Sequence, residues 1–168
     1  MEHPKSADFG ALVRVLGDAH VEFIVIGGYA GIVHGGPVPT FDLDIIRRRT
    51  PENTARLLRV LDDLQAYTRL DRRRLRVEES HLEGTGALLL ATRLGPLDLL
   101  GTLNDGRGYE ELLPHTDLFE IAGHAIRVLD LPTLIDVKAA AGRDKDKLAV
   151  AHLVAILRRQ AQAEDEDP

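Results

Sequence analysis

A short apolar run that ends at two glycines constrains the fold of this chain more than any other feature. Residues 22–26 read Glu-Phe-Ile-Val-Ile, and Gly27 and Gly28 follow directly. A continuous β-branched run of this length predicts a strand that is covered on both faces. Helical spacing resumes over residues 29–33 and stops at Gly35-Gly36-Pro37. The segment therefore predicts a buried strand, a glycine turn and a short helix.

A second strand is predicted over residues 42–46, and it carries two carboxylates on one face. Asp42 and Asp44 stand two positions apart, so their side chains project the same way, about 6.6 Å apart along the strand. Adjacent carboxylates repel each other unless a cation lies between them. Oxygen ligands favour Mg²⁺, which completes its shell with waters and substrate phosphates. The pattern predicts a divalent metal site, and an acidic strand edge without metal is the alternative.

The two glycines point to phosphate binding. Gly27 and Gly28 have no Cβ, so a phosphate can approach their backbone, and the start of the next helix offers unpaired N–H groups. A tight turn without a ligand is the other interpretation of two glycines after a strand. A glycine turn after the first strand and an acidic pair on the second can face each other across one cleft. This joint placement favours a site for a metal-bound phosphate.

The remaining patterns predict one α/β domain with a mixed sheet and C-terminal helices. A helix is expected over residues 9–19, capped by Ser6 or Asp8, and another begins at Thr50-Pro51 and continues to Leu64. Further expectations are a strand over 75–78, hairpins over 87–100 and 119–129, a helical turn over 109–113, and helices over 131–141 and from 144 to 160 or beyond. The domain would span residues 1–161, with its core over about 20–130 and its helices over 131–161. An acidic, disordered tail would follow over 162–168.

Composition narrows the classes of function. The chain has no cysteine, which excludes disulfides, thiolate zinc sites and cysteine nucleophiles. Its 21 Lys and Arg against 27 Asp and Glu give a net charge of −6, which argues against stable binding of duplex DNA. The seven histidines show no HxH or HxxxH pair, so no histidine zinc site is expected. Without a basic, apolar leader or a long apolar stretch, we expect a cytoplasmic protein with no membrane partner.

Three segments together resemble a known signature. Gly27-Gly28, His34-Gly35 and Thr40-x-Asp42-x-Asp44 look like the motif of the DNA polymerase β nucleotidyltransferase superfamily. The spacing is closest to its small bacterial members, the minimal nucleotidyltransferases and the abortive-infection (AbiEii-like) toxin enzymes. The resemblance is most specific over residues 24–45, weaker over 95–101, and extends to most of the chain in element order. It implies a mixed-sheet nucleotidyltransferase fold, α/β (α+β) in class, flanked by helices.

The resemblance also implies roles for individual residues. In that family the glycine motif helps to hold the nucleoside triphosphate, two aspartates bind divalent metal, and a later strand supplies a third carboxylate. These roles fall on Gly27, Gly28, Asp42 and Asp44, and the apolar-Asp-apolar pattern around Asp98 makes it the third carboxylate. The triad would hold one or two Mg²⁺ ions, with Mn²⁺ as the alternative. Asp98 would also help to deprotonate the attacking hydroxyl.

Contacts to the nucleotide are assigned in the same way. Residues 134–146 look like the helical part of the toxin-type members, which carries a Lys near the nucleotide, so Lys138 is the candidate, followed by Lys145 and Asp146. Tyr29 stands where relatives often have a Ser or Thr that holds phosphate. Val38 and Phe41 stand where many relatives have a basic residue. A replacement phosphate contact would then come from Arg47 or Arg143.

The function that the resemblance implies is transfer of a nucleoside monophosphate from an NTP to a hydroxyl group. The acceptor would be tRNA, a protein or a small molecule such as an antibiotic. A toxin or phage-defence role, with a possible antitoxin partner, follows from the toxin-type members. Two alternatives stay open. One is an inactive module of the same fold that binds nucleotide or a protein partner, and the other is a structural domain that binds neither metal nor nucleotide.

Two further features have ordinary explanations beside functional ones. His34 is expected to be a packed or capping residue. The basic runs at residues 47–49 and 72–74 predict a solvated charged face, with contact to an RNA or nucleotide acceptor as the alternative.

Overall fold

The apolar run before the two glycines forms β1 in a mixed sheet of seven strands. The computed structural model describes residues 2–37 and 39–167. Within them the strand order is β3-β4-β5-β2-β1-β7-β6, with β1–β7 and β2–β5 parallel and the other neighbours antiparallel. The strands are β1 (Phe23–Ile26), β2 (Leu43–Arg47), β3 (Tyr67–Thr68), β4 (Leu88–Ala91), β5 (Leu97–Leu100), β6 (Thr116–Ile121) and β7 (His124–Leu129).

Side-chain caps define where several helices begin. Asp8, rather than Ser6, accepts a hydrogen bond from the Ala11 N–H, and Thr50 and Asp130 accept equivalent bonds from residues three positions on. Each cap satisfies an N–H that the helix itself leaves unpaired. The helices are α1 (Phe9–Asp18), α2 (Gly27–Val33), α3 (Pro51–Asp63), α4 (Tyr109–Leu112), α5 (Leu131–Ala141) and α6 (Asp144–Glu166).

One hydrophobic core joins the sheet to the helices. Every residue of β1 is buried, as the continuous apolar run predicts. Leu12 and Leu16 of α1, Leu57 of α3 and Leu153 of α6 belong to the same cluster. Over the described residues, no helix is both long and apolar enough to cross a membrane. The expected mixed α/β architecture with C-terminal helices is confirmed.

The strand predicted over residues 75–78 does not form. Asp71 instead accepts a hydrogen bond from the Arg73 N–H, and Arg74 adopts φ +50°, so the chain turns back sharply. Only Arg76 then forms a bridge, to Tyr67, and a 3-10 turn follows over Glu79–Leu82. The strand of this region is β3, which lies earlier and pairs with β4.

The chain end also differs from expectation. We predicted a disordered tail from residue 162, but α6 continues to Glu166. The polar composition suggested disorder, whereas Ala, Gln and Glu are all good helix formers that extend an existing helix. Pro168 lies outside the described residues.

Candidate active site

Three carboxylates predicted from the sequence meet at one end of two paired strands. Asp44 on β2 lies directly opposite Asp98 on β5, and Asp42 precedes β2 by one residue. One oxygen from each of Asp42, Asp44 and Asp98 lies within 4.8 Å of the other two. The parallel pairing of β2 and β5 brings together residues that are more than 50 positions apart in the sequence.

Burial makes this cluster unfavourable when all three groups are charged. Burial raises the pKa of Asp44 to about 7, and the negative charges of Asp98 and Asp42 act in the same direction. The Asp98 side chain is only 9% exposed, and burial raises its pKa as well, against the opposing charge of Arg69. Without a cation, the cluster therefore tends to retain a proton.

The donor set fits a divalent cation. Oδ1 of Asp98 is buried and has no hydrogen-bond partner among the residues that the structure describes. An unsatisfied carboxylate oxygen is costly in the protein interior, and a metal ligand bond satisfies it. Three carboxylate oxygens close together are the hard ligands that Mg²⁺ and Mn²⁺ accept. Asp42, Asp44 and Asp98 are thus the residues that would hold the metal.

The two glycines lie against the acidic cluster. Gly27 has φ +69°, and a Cβ added there would collide with Oδ2 of Asp44. A Cβ at Gly28 would meet Oγ1 of Thr40 at 2.7 Å. Glycine is therefore required for α2 to begin directly beside the acidic residues.

A cleft of about 530 Å³ opens above the cluster. The two glycines and three aspartates lie on the sheet side, and α5 and α6 supply the opposite wall. Polar residues of that wall are Lys138, Arg143, Lys145, Asp146 and His152. Cations therefore face carboxylates across the cleft, as a metal-bound triphosphate requires.

The wall of the cleft formed by α5 and α6 contains an ion pair between Arg143 and Asp146. Asp146 is 4% exposed, and its Oδ2 lies 2.6 Å from Nε of Arg143. Burial lowers the pKa of Lys138, while the carboxylates of Asp146 and Asp44 act to raise it. The predicted Lys138 thus lies in the cleft between acidic groups of both walls.

Other predicted residues lie elsewhere. Tyr29 stacks on Phe9, with ring centroids 4.5 Å apart, and does not line the cleft. Arg47 is 3% exposed and donates to the carbonyl of Leu82 at 2.7 Å, so it is a buried structural residue and supplies no phosphate contact. Nε2 of His34 lies 2.9 Å from the carbonyl oxygen of Leu129, which makes it a packing residue. Arg143 does line the cleft, and Val38 lies outside the described residues.

Arg69 is the site residue that the sequence did not identify. Its Nη2 lies 2.9 Å from Oδ1 of Asp98 and 3.8 Å from Oδ2 of Asp42. Arg69 stands three positions before the basic run at residues 72–74, and no sequence pattern assigned it to the site. It reaches the cluster because β3 pairs with β4, and β4 with β5. No sequence pattern near residue 69 predicts that strand pairing.

A second cavity of about 450 Å³ meets the cleft at Phe41 and Asp42. Phe41 is 64% exposed and lines both spaces. The N-terminal segment and the region around β3 form the remaining wall, which includes His3, Lys5, Tyr67, Arg69 and Arg74. Asp42 of the acidic cluster is thus accessible from both cavities.

Three solved structures share this architecture. A candidate nucleotidyltransferase from Thermotoga maritima is 18% identical with TM-score 0.56, covering 96% of this chain and 98% of its own. The lincosamide antibiotic adenylyltransferase LnuA, with lincomycin bound, is 12% identical with TM-score 0.62, and the match covers 91% of this chain and 99% of LnuA. The antibiotic-resistance factor ANT(2'')-Ia is 17% identical with TM-score 0.52, and the match covers 94% of this chain and 92% of that protein.

Sequence comparison adds no match: no protein-family model and no curated protein matches the chain. The structural likeness extends over nearly the full length of all three proteins, at identities that carry information on the fold alone. The chain therefore has the nucleotidyltransferase fold.

Proposed function

We propose that the protein is a divalent-metal-dependent nucleotidyltransferase that transfers a nucleoside monophosphate from an NTP to a hydroxyl group. The observation that carries the proposal is the cluster of Asp42, Asp44 and Asp98 at the floor of a cleft whose opposite wall is cationic; a buried oxygen of Asp98 in this cluster forms an ion pair with Arg69 but no hydrogen bond among the described residues. The nucleotidyltransferase fold of the neighbouring structures supports it.

Each wall of the cleft has a distinct task in this reaction. Lys138, Arg143 and Lys145 would donate to the triphosphate oxygens, and Gly27 and Gly28 would allow the nucleotide to approach the backbone. Metal ions held by the triad would supply positive charge to the α-phosphate and to the leaving pyrophosphate. These groups act mainly through alignment and electrostatic stabilisation.

The transfer would be a single displacement at the α-phosphorus of the NTP. The acceptor oxygen attacks the α-phosphorus, the bond from that phosphorus to the bridging oxygen breaks, and pyrophosphate leaves. The acceptor proton would pass to the Asp98 carboxylate, which lines the cleft beside Asp42, the member of the triad that also lines the second cavity. The acceptor would therefore approach from the side of Phe41 and Tyr67, opposite the cationic wall.

A small molecule is the acceptor that we favour. The second cavity has the volume of a small-molecule site, and one neighbouring structure is an adenylyltransferase with an antibiotic bound. Transfer to tRNA or protein, a toxin or phage-defence role and an antitoxin partner rest on the sequence resemblance alone and stay predictions. The cytoplasmic location also stays a prediction.

An inactive module that binds nucleotide is the second candidate function. It is favoured by one observation, the contact of Arg69 with Asp98, because the guanidinium already supplies positive charge to the cluster. Such a module would bind NTP and transfer nothing.

Calorimetric titration of each NTP, with and without Mg²⁺ or Mn²⁺, tests the proposal. We expect metal-dependent binding by the wild type and at least a tenfold loss in an Asp42→Asn/Asp44→Asn variant. Asp117→Asn, an exposed carboxylate on β6, is the matched control and should bind like wild type. Labelled NTP would then be screened for transfer to small-molecule hydroxyls, tRNA and protein. Failure of the wild type to bind any NTP would reject both candidates, and binding without any transfer would favour the module.

A further inference from the structure

Arg69 is fixed rigidly beside the acidic cluster. Its backbone N–H donates to the carbonyl of Leu89 at 2.9 Å, and its Nη1 donates to the carbonyl of Leu90 at 2.8 Å. Arg69 is therefore bound to β4 at two points, once through its backbone and once through its guanidinium. A second guanidinium nitrogen, Nη2, reaches Oδ1 of Asp98 and approaches Oδ2 of Asp42. The guanidinium cannot move away from the cluster without breaking its hydrogen bond to the carbonyl of Leu90.

The contact with Asp98 is one of charge. Nη2 lies 2.9 Å from Oδ1, yet this oxygen has no aligned hydrogen-bond donor among the described residues. The guanidinium therefore offsets the charge of the carboxylate, and the lone pairs that it does not occupy are available to one metal ion. Because the side chain is 27% exposed, solvent screens the charge only in part.

The positive charge is distributed unevenly around the cluster. Arg69 lies on the side of Asp98 and Asp42, toward the second cavity. The charge of Lys138 acts on Asp44 from the opposite, cleft side. A divalent ion shared by Asp42 and Asp98 would thus lie within a few ångströms of a fixed cation, and like charges at that separation repel strongly.

We propose that Arg69 takes the place of one of two divalent ions, so that the nucleotide-free protein binds a single ion tightly. The inference rests on the proposed metal site, and it assigns Arg69 as the positioning residue that sets the number of ions. Three carboxylates and one fixed cation leave charge for one divalent ion. A second ion would have to displace the guanidinium from Asp98.

Counting bound Mn²⁺ in the absence of nucleotide tests this directly. Free Mn²⁺ is measured by electron paramagnetic resonance during titration of the wild type. We expect one tight ion per chain, with any second ion at least tenfold weaker. Two ions of similar affinity in the wild type would overturn the proposal, whatever the variants do.

Arg69→Gln tests the cause. This variant removes the charge and retains a polar side chain, and we expect it to bind a second Mn²⁺ at least tenfold more tightly than the wild type does. Two ions held by the same carboxylates should also give a spin-coupled spectrum at low temperature. Arg69→Lys keeps the charge and should retain the stoichiometry of one.

A nearby arginine supplies the matched control. Arg74 lines the same cavity, but its guanidinium lies over the ring of Tyr67, 5.3 Å from the centroid. Arg74→Gln should therefore bind Mn²⁺ like wild type. If Arg69→Gln binds no more Mn²⁺ than wild type, Arg69 only holds Asp98 in position and the inference fails. If neither protein binds Mn²⁺, the metal site of the proposed function fails with it.

Discussion

At the scale of single residues, the conformation of Gly27 decides how closely the nucleotide turn can approach Asp44. Gly27 follows β1 and begins α2 with a positive φ of +69°, and its α-carbon faces Oδ2 of Asp44. A side chain at this position would therefore meet two obstacles, the strained backbone angle and the carboxylate itself. The glycine is a requirement of the site as well as of the turn.

We predict that Gly27→Ala weakens both the fold and metal binding. The positive φ should cost about 1 kcal/mol of unfolding free energy, and the collision with Asp44 about 1–3 kcal/mol more. Gly123→Ala is the matched control, because Gly123 has φ +84° and a Cβ there would meet nothing within 4 Å. Urea unfolding and Mn²⁺ titration measure the two effects. Equal losses of stability in both variants would contradict the prediction.

The raised pKa of Asp44 predicts an unusual pH dependence for the metal-free protein. Its carboxyl has a pKa of about 7 in the folded protein, against an ordinary value of 3.8 for an aspartate. Between these values the folded protein holds a proton that the unfolded chain has lost, so this contribution to stability falls as pH rises. The contribution is fully present below about pH 4 and is lost above about pH 7.

Asp44→Asn tests this dependence, because the amide stays neutral at every pH. At pH 8 in EDTA, we expect the unfolding free energy of the variant to exceed that of the wild type by about 1–3 kcal/mol. This is less than a shift of about three pKa units would give, because Asp98 shares the proton. The difference should shrink toward pH 5. Urea unfolding at both pH values measures it, and a difference that does not change with pH would disprove the assigned shift.

At the scale of elements, α5 and α6 form a hairpin that joins the core to the cleft. The two helices meet at Gly142, which adopts φ +68°. α6 buries Leu153 and Ile156 in the core, while its first turns supply Lys145 and Asp146 to the cleft. The position of the cationic wall therefore depends on how the N-terminal end of α6 is held.

Asp146→Asn should loosen that end of α6. Loss of the buried charge weakens its pair with Arg143, and we expect about 1–3 kcal/mol of destabilisation. The affinity for Mg·NTP should fall about tenfold, because Arg143 and Lys145 are then held less firmly at the cleft. This factor corresponds to a loss of about 1.4 kcal/mol in binding free energy. Asp144→Asn is the control on the same helix, because its side chain is fully exposed and its ion pair with Lys147 is 3.5 Å long. Urea unfolding and calorimetry should show almost no change in that variant.

Elements with a local signal could be predicted from the sequence. β1 follows from its apolar run, and the caps of α1 and α3 follow from Asp8 and Thr50-Pro51. The hairpins β4–β5 and β6–β7 were also expected, and both are confirmed. The triad could be proposed before its geometry was known, although its catalytic role stays a prediction.

Features that depend on distant pairing could not be predicted. Arg69 contacts Asp98 because β3, β4 and β5 are neighbours in the sheet. No sequence pattern around residue 69 predicts that order. Residues 75–78 have a strand-like pattern, but the turn at Asp71–Arg74 shifts the pairing to β3. Tyr29 was assigned to the cleft by its neighbours in the sequence, whereas its ring packs on Phe9.

At the scale of the whole molecule, charge is distributed unevenly. The net charge is −6, yet the wall of the cleft formed by α5 and α6 is rich in Lys and Arg. Four acidic residues, Glu164, Asp165, Glu166 and Asp167, are exposed at the far end of α6. An anionic nucleotide is thus repelled by the molecule as a whole and attracted by the cleft, and salt screens the longer-range repulsion first.

A protein that ends at Gln160 separates these contributions. The described residues that are removed, 161–167, are exposed, and the last buried residue of α6 is Ile156, so unfolding free energy should change by less than about 1 kcal/mol. Mg·NTP should bind slightly more tightly than to the full chain at low salt, because repulsion is reduced, and the difference should vanish above about 0.5 M salt. A protein that ends at Gly142 is the opposite control: it loses Arg143 and Lys145 of the cationic wall and exposes the core that Leu153 covers, and it should neither fold stably nor bind. Calorimetry at two salt concentrations measures the effect, and tighter binding that persists at high salt would show that the end of α6 contacts the nucleotide directly.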